Sequence, residues 1–166
     1  LREPARFIGY WDADLATPLS EIAQFIEIAE NRQEVRLVCG CRVQRLGANI
    51  TRHWYRHYPG RVIATFISLI LGLKIYDTQC GAKLIDRDIA ERIFAEPFSS
   101  RWLFDVELFA RVISLVGRRE AIRIIYEYPL PRWEDVGESR LSAADLPRIP
   151  LDLARIYTRY RRQFKP

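Results

Sequence analysis

Asp12-Ala13-Asp14 is the segment of this chain with the clearest capacity for chemistry. It follows the apolar run Arg6-Phe7-Ile8-Gly9-Tyr10-Trp11 and precedes Thr17-Pro18, which reads as an N-cap with proline at the first helical position. Two carboxylates one residue apart, where a strand ends and the chain turns, reach a single hard cation. Mg²⁺ or Mn²⁺ takes oxygen ligands and is commonly shared with substrate phosphates. The plain alternative is an Asx turn or helix cap at Asp14, with Asp12 solvated.

Three further segments concentrate polar groups. Asp77-Thr78-Gln79-Cys80-Gly81-Ala82-Lys83 packs an acid, a hydroxyl, an amide, a glycine and a base into one loop, although Asp-Thr beside Gly is also ordinary turn chemistry. Arg101-Trp102-Leu103-Phe104-Asp105-Val106-Glu107 opens an amphipathic helix, whose N-terminus favours acidic residues on electrostatic grounds alone. Arg132-Trp133-Glu134 and Gly137-Glu138-Ser139-Arg140 lie in a loop after a strand, where a solvated turn is the plain reading. Cys39 and Cys41 share one face of a strand, and with Cys80 they read as buried thiols. A zinc site would need His53 and His57 from a separate helical segment.

The elements that position these residues follow from periodicity. Strands are expected over Arg6–Trp11, Val35–Gly40, Ala82–Ile85 and Ala121–Tyr128. Helices are expected from Thr17, over Arg52–Leu73 with a break near Pro59-Gly60, over Arg87–Ala95, Phe104–Val116 and Leu151–Tyr160. Phe104, Leu108, Val112 and Val116 recur on one face, with Gly117 as the stop. Alternating strands and helices give an α/β fold.

The 166 residues are 49% hydrophobic, enough for one domain with a core, and their 28% charged content is that of an ordered soluble protein. No uncharged apolar run of membrane-spanning length occurs, and Leu1-Arg2-Glu3-Pro4 does not open a signal peptide. Three cysteines do not make a disulfide framework and fit a reducing, cytoplasmic setting. Met is absent, so the natural start is expected to lie upstream. The net charge of +5 comes from one arginine group between Arg42 and Arg61 and another between Arg155 and Lys165, surfaces suited to anionic partners.

DADLATP, DTQCGAKL, RWLFDVE and PRWEDVGESR, in this order over Phe7 to Arg140, resemble the motifs of the dolichyl-phosphate glucosyltransferase and dolichyl-phosphate mannose synthase branch of glycosyltransferase family 2. The resemblance implies a nucleotide-diphospho-sugar transferase (GT-A type) domain with a mixed central sheet flanked by helices, present in part, its opening nucleotide-binding half missing. Residues 1–145 would be the later part of that domain, and 146–166 a basic helix suited to an interface. Carried over by position, Asp12 and Asp14 are the metal pair for Mg²⁺ or Mn²⁺. Asp77, Asp105 and Glu107 are the catalytic acids. Arg42, Arg56, Gln79, Trp133, Ser139 and Arg140 contact substrate. Gly60 stands where many members have a Ser four residues after the arginine matched by Arg56, and Arg140 where Lys is usual. The partners implied are a nucleotide-sugar donor, a polyprenyl phosphate acceptor and the cytoplasmic face of a membrane, with self-association and without nucleic acid. The fragment alone is expected to be inactive. Val62–Leu73 reads as a core helix and the Arg/Tyr tail as interfacial.

Two other readings remain at this stage. Haloacid dehalogenase-like phosphatases also place Asp-x-Asp after an apolar strand, but want Thr or Val where Ala16 stands. A non-catalytic basic module for membranes or nucleic acid accounts for the arginines but not for the acidic motifs.

Overall fold

A computed structural model describes residues 5–51, 54–135 and 148–164, and of residues 54–62 the backbone alone. In chain order the elements are β1 Phe7–Trp11, α1 Glu21–Asn31, β2 Leu37–Cys41, β3 Asn49–Thr51, α2 Trp54–Leu71 and β4 Ala82–Asp86. They continue with α3 Arg87–Ile93, α4 Phe104–Val116, α5 Arg118–Ile124, β5 Ile125–Pro129, β6 Arg132–Glu134 and α6 Arg148–Tyr160.

The main sheet runs β1-β4-β2-β5. β4 is antiparallel to both β1 and β2, while β2 and β5 are parallel. The carboxyl ends of β1, β2 and β5 and the start of β4 therefore lie on one edge: Trp11 pairs with Ala82, and Cys41 with Pro129. A small parallel pair, β3 and β6, is bonded to the same edge, because Asn49 N–H donates to Pro131 and Glu134 N–H donates to the Ala16 carbonyl.

Side-chain alternation along the strands builds two cores. Leu37, Cys39 and Ile85 join the larger core beneath α2 to α6, and Val38 and Leu84 join Phe25, Ala29 and Trp133 beneath α1. All three thiols are free and buried, as expected of small hydrophobes. In α2, Ile67 and Leu71 are core residues while Phe66 and Leu69 are exposed, so the expected core helix buries one face only. Among the described residues no helix is long and apolar enough to cross a membrane.

The structure differs from the sequence reading at several elements, β3 among them, a strand that the sequence reading did not place. The helix expected from Thr17 begins at Glu21, because Pro18 to Leu19 form turns whose carbonyls accept from Glu21 and Ile22. The break expected at Pro59-Gly60 is absent; proline in the second turn of α2 removes a single amide donor and the helix runs on. Ala121–Tyr128 is not one strand: Arg118 to Ile124 is helical, started after Gly117, whose φ of 82° turns the chain out of α4. β6 replaces part of the expected loop, and α6 starts three residues before the expected Leu151.

Candidate functional site

The polar edge of the sheet is built around residues that leave its strands. Asp12 follows β1 directly, and its N–H donates to the Gly81 carbonyl at 2.8 Å. A Cβ built on Gly81 would overlap the Asp12 carboxylate, so only glycine admits it there. Asp14 accepts from Ala16 N–H at 3.1 Å, the Asx turn of the plain reading, and Leu15 adopts φ 54°, a left-handed conformation that costs energy in a branched residue. Both aspartates stay exposed. The Asx turn thus presents Asp14 and leaves oxygens of both carboxylates open to a cation.

Behind this turn sits a buried charge pair that sequence reasoning missed as a pair. Lys83 points from β4 toward α4, wholly buried, and donates to Asp105 Oδ1 at 2.6 Å and to the carbonyls of Cys80 at 2.7 Å and Thr78 at 3.2 Å. Tyr10 on β1 donates its hydroxyl to the same Asp105 oxygen. Burial, then the Asp105 charge, hold the Tyr10 hydroxyl protonated far above the usual phenol range. Burial also raises the Asp12 pKa, and Asp14 and then Asp105 add to it, more than Arg42 and Lys83 offset. The carboxylates of Asp14 and Asp105 thus reinforce the effect of desolvation at Asp12.

Asp77, expected at the reaction centre, is buried and engaged by Arg42. The guanidinium Nε and Nη2 meet the two carboxylate oxygens at 2.6 and 2.8 Å, and Arg42 N–H donates to Oδ2 at 3.1 Å. Gln79 N–H reaches Oδ1 at 3.3 Å. Burial opposes the Arg42 charge, but Asp77 outweighs it and holds the guanidinium more firmly protonated than a free arginine. Arg42 also lies over the Trp133 ring, 5.2 Å from its centroid. The loop that carries Asp77 is fixed in turn by Glu127 of β5, which accepts from Tyr76 N–H and Asp77 N–H at about 2.9 Å.

The structure brings Asp12, Asp14, Asp77, Gln79, Asp105, Arg42 and Trp133 to this one edge. Glu107 is the correction. It was expected beside Asp105 but is fully buried elsewhere, bonded to Arg111 at 3.0 Å, Ser99 N–H at 2.7 Å and the Tyr160 hydroxyl at 3.1 Å. Two residues along a helix turn the side chain by about 200°, which sends it to the opposite face. Arg56, Ser139 and Arg140 lie outside the residues whose side chains are described. A signal for the missed Lys83 was present: a lone charge in the apolar run Ala82-Lys83-Leu84-Ile85. Glu127 is likewise the one acid in β5.

The donor set fits a hard divalent cation. Asp12 and Asp14 are oxygen donors in a locally anionic setting that positive charge would relieve. Burial, followed by the Asp77 charge, pushes the nearby Cys80 thiol up to about 11, so it is no competing soft ligand near neutral pH. Among the described residues no group of three or more His, Cys, Asp or Glu surrounds a common point, so two carboxylates leave most coordination positions to substrate oxygens and water.

No protein-family model matches the chain. It is 29% identical over 154 residues to a dolichyl-phosphate β-glucosyltransferase of Trichomonas vaginalis, covering 90% of this chain and 44% of that protein. The dolichyl-phosphate β-glucosyltransferase of Dictyostelium discoideum is 27% identical over 156 residues, covering 90% of this chain and 45% of that one. The Homo sapiens protein of the same name is 32% identical over 102 residues, covering 58% and 32%. The chain thus spans less than half the length of these relatives. Its fold is similar to the crystal structure of mannosyl-3-phosphoglycerate synthase from Rubrobacter xylanophilus, with TM-score 0.63, 18% identity and coverage of 95% of this chain and 46% of that one. Glucosyl-3-phosphoglycerate synthase from Mycobacterium tuberculosis, in complex with Mn²⁺ and UDP-glucose, matches with TM-score 0.61, 14% identity and coverage of 99% and 51%. At those identities the solved structures establish the fold alone. Sequence and fold together make this chain similar to dolichyl-phosphate β-glucosyltransferases, with an α/β architecture that matches about half of a GT-A transferase fold.

Proposed function

We propose that this chain supplies the metal and acceptor side of a hexosyltransferase that moves a sugar from a nucleotide diphosphate to a polyprenyl phosphate. The observation that carries this reading is the Asp12 carboxylate seated on Gly81 at the strand edge, with Asp105 and Arg42 within electrostatic reach. Residues 1–145 would be the transferase part and 146–166 a basic helix serving an interface, at the cytoplasmic face of a membrane.

In this reading Asp12 and Asp14 would hold Mg²⁺ or Mn²⁺. When bound, the metal supplies Lewis-acid stabilisation of the departing diphosphate. The glycosidic bond to the diphosphate breaks as a bond forms between the anomeric carbon and an acceptor phosphate oxygen. That oxygen is already anionic near pH 7, since a phosphate monoester has its second pKa near about 6, so it requires little help from a base. Asp77, saturated by Arg42, acts by aiming that guanidinium at a phosphate, with Trp133 beneath it. Gln79 lies in the same loop. Asp105, held by Lys83 and Tyr10, lines the sugar side. The relatives and solved structures favour this reading over the phosphatase, and the ordered acidic cluster favours it over a purely basic binding module.

The test is transfer by a protein that contains this chain. With radiolabelled UDP-glucose or GDP-mannose, dolichyl phosphate and Mn²⁺, label is expected in the lipid extract. It should disappear with a chelator and in Asp12→Ala. Label released only as free sugar, or transfer unaffected by Asp12→Ala, would overturn the reading.

A further inference from the structure

The loop between α2 and β4 is clamped by two side chains of opposite charge. Lys83 gathers carbonyls, those of Thr78 and Cys80, with the ammonium that also holds Asp105. Glu127 gathers amides. Its two oxygens share Tyr76 N–H at 3.0 and 2.9 Å, and one of them also accepts from Asp77 N–H at 2.9 Å. Glu127 stands on β5 opposite Cys39 of β2, so the sheet fixes where this carboxylate lies. An acid that takes both amides sets the two rigid peptide planes on either side of Tyr76, and with them the position of Asp77.

Asp77 has no capacity left for a substrate. Oδ2 accepts from Arg42 N–H and Nε, and Oδ1 from Arg42 Nη2 and Gln79 N–H. That fills the roughly four acceptor positions of a carboxylate. The run of contacts therefore ends on Arg42. Among the described residues Asp77 is the only hydrogen-bonding partner of the Arg42 side chain, and the Trp133 ring lies beneath the guanidinium. Nη1 bonds no described residue, so its donors remain for an anion.

We propose that Glu127 is a positioning residue: by holding the amides of Tyr76 and Asp77 it aims Arg42, through Asp77, at a phosphate group. This rests on the reading above, in which Arg42 meets a phosphate, and it divides the site in two. The anion half, Arg42 with Asp77, depends on Glu127. The cation half, Asp12 and Asp14, does not, because Lys83 holds Thr78 and Cys80 between the two.

Titration of the ¹⁵N-labelled chain with inorganic phosphate tests this at Arg42 itself, through the Nε–H resonance that Arg42→Lys removes. In the parent that resonance should shift with phosphate, and the Tyr76 and Asp77 amides should exchange slowly although they lie in a loop. Glu127→Gln should weaken phosphate binding by about tenfold, the low end for losing an orienting partner, and leave Mn²⁺ binding as in the parent. Glu127→Asp, one methylene shorter with its charge kept, should fall between. Adding Glu127→Gln to Asp77→Asn should cost nothing beyond Asp77→Asn alone, since both act on one path. Losses that add would make Glu127 a structural support only and overturn the proposal. So would fast amide exchange in the parent, a parent without a phosphate shift at Arg42, or Glu127→Gln that titrates as the parent does. Absence of lipid transfer by a protein whose Arg42 responds as described would overturn the transferase reading alone and leave Glu127 in its role.

Discussion

Asp105 and Glu107 stand in one motif at the start of one helix, yet they belong to different parts of the molecule. Asp105 faces the strand edge, where Lys83 and Tyr10 hold it beside the exposed Asp12 turn. Glu107 faces the other way, into a closed latch of Arg111, Ser99 and Tyr160 that ties α6 to the segment before α4. Both are buried acids with a cationic partner; they differ in what lies beyond the partner. Past Asp105 the chain has further carboxylates, Asp12 and Asp14, both exposed. Past Glu107 it has carbonyls of Ile93, Glu96 and Pro97 already bonded to Arg111. An acid therefore earns a place in a site by its surroundings more than by its motif.

The substitution expected to cost most is Lys83→Met, which leaves Asp105 buried without its cation. Breaking one side of such a pair destabilises by about 3–5 kcal/mol, read as a lower urea midpoint. A midpoint unchanged from the parent would show that Asp105 does not depend on Lys83. Gly81→Ala comes next. The added methyl group displaces the Asp12 carboxylate, the end of an exposed and flexible side chain, at little cost in stability. It should also weaken Mn²⁺ binding by about 10–100-fold, measured by paramagnetic resonance.

Glu107→Gln separates the two acids most sharply. It should cost about 1–3 kcal/mol through the unsatisfied latch, while leaving Mn²⁺ binding as in the parent. Burial works to raise the Glu107 pKa, but Ser99 N–H and Arg111 prevail and hold it below the usual glutamate value. A group depressed in the folded state contributes stability above its unfolded pKa and loses it as pH falls through the folded one. Acid unfolding of the parent should thus steepen below the ordinary glutamate range, and the Glu107→Gln curve should be flatter there. Parallel curves would remove Glu107 from the acid response. The smallest change is expected from Trp133→Phe, which weakens the ring beneath Arg42 by less than about 1 kcal/mol. A larger loss in urea melts would mean that Trp133 matters chiefly through packing under α1.

Local signals carried much of the fold. The bounds of α4 were legible because a 3.6-residue stripe ends at Gly117, which alone tolerates the turn that follows. The same signals misled one turn later, where Ala121 to Tyr128 reads as a strand rich in β-branched and aromatic residues but its first half completes a helix begun by Arg118. Within the site, the carboxylates were visible and their partners were not. Arg42 and Asp77 lie 35 positions apart and Lys83 and Asp105 lie 22 apart, pairings that only the β1-β4-β2-β5 order creates. Glu107 was misplaced because motif membership was taken for a shared direction, which helical geometry denies it.

Mn²⁺ titration followed by paramagnetic resonance tests the account at its centre, using the parent, Asp12→Asn with Asp14→Asn, and Glu107→Gln. One Mn²⁺ should bind the parent and Glu107→Gln alike and be lost from the double variant, whose fold is kept. Equal binding by all three would contradict a metal site at the end of β1.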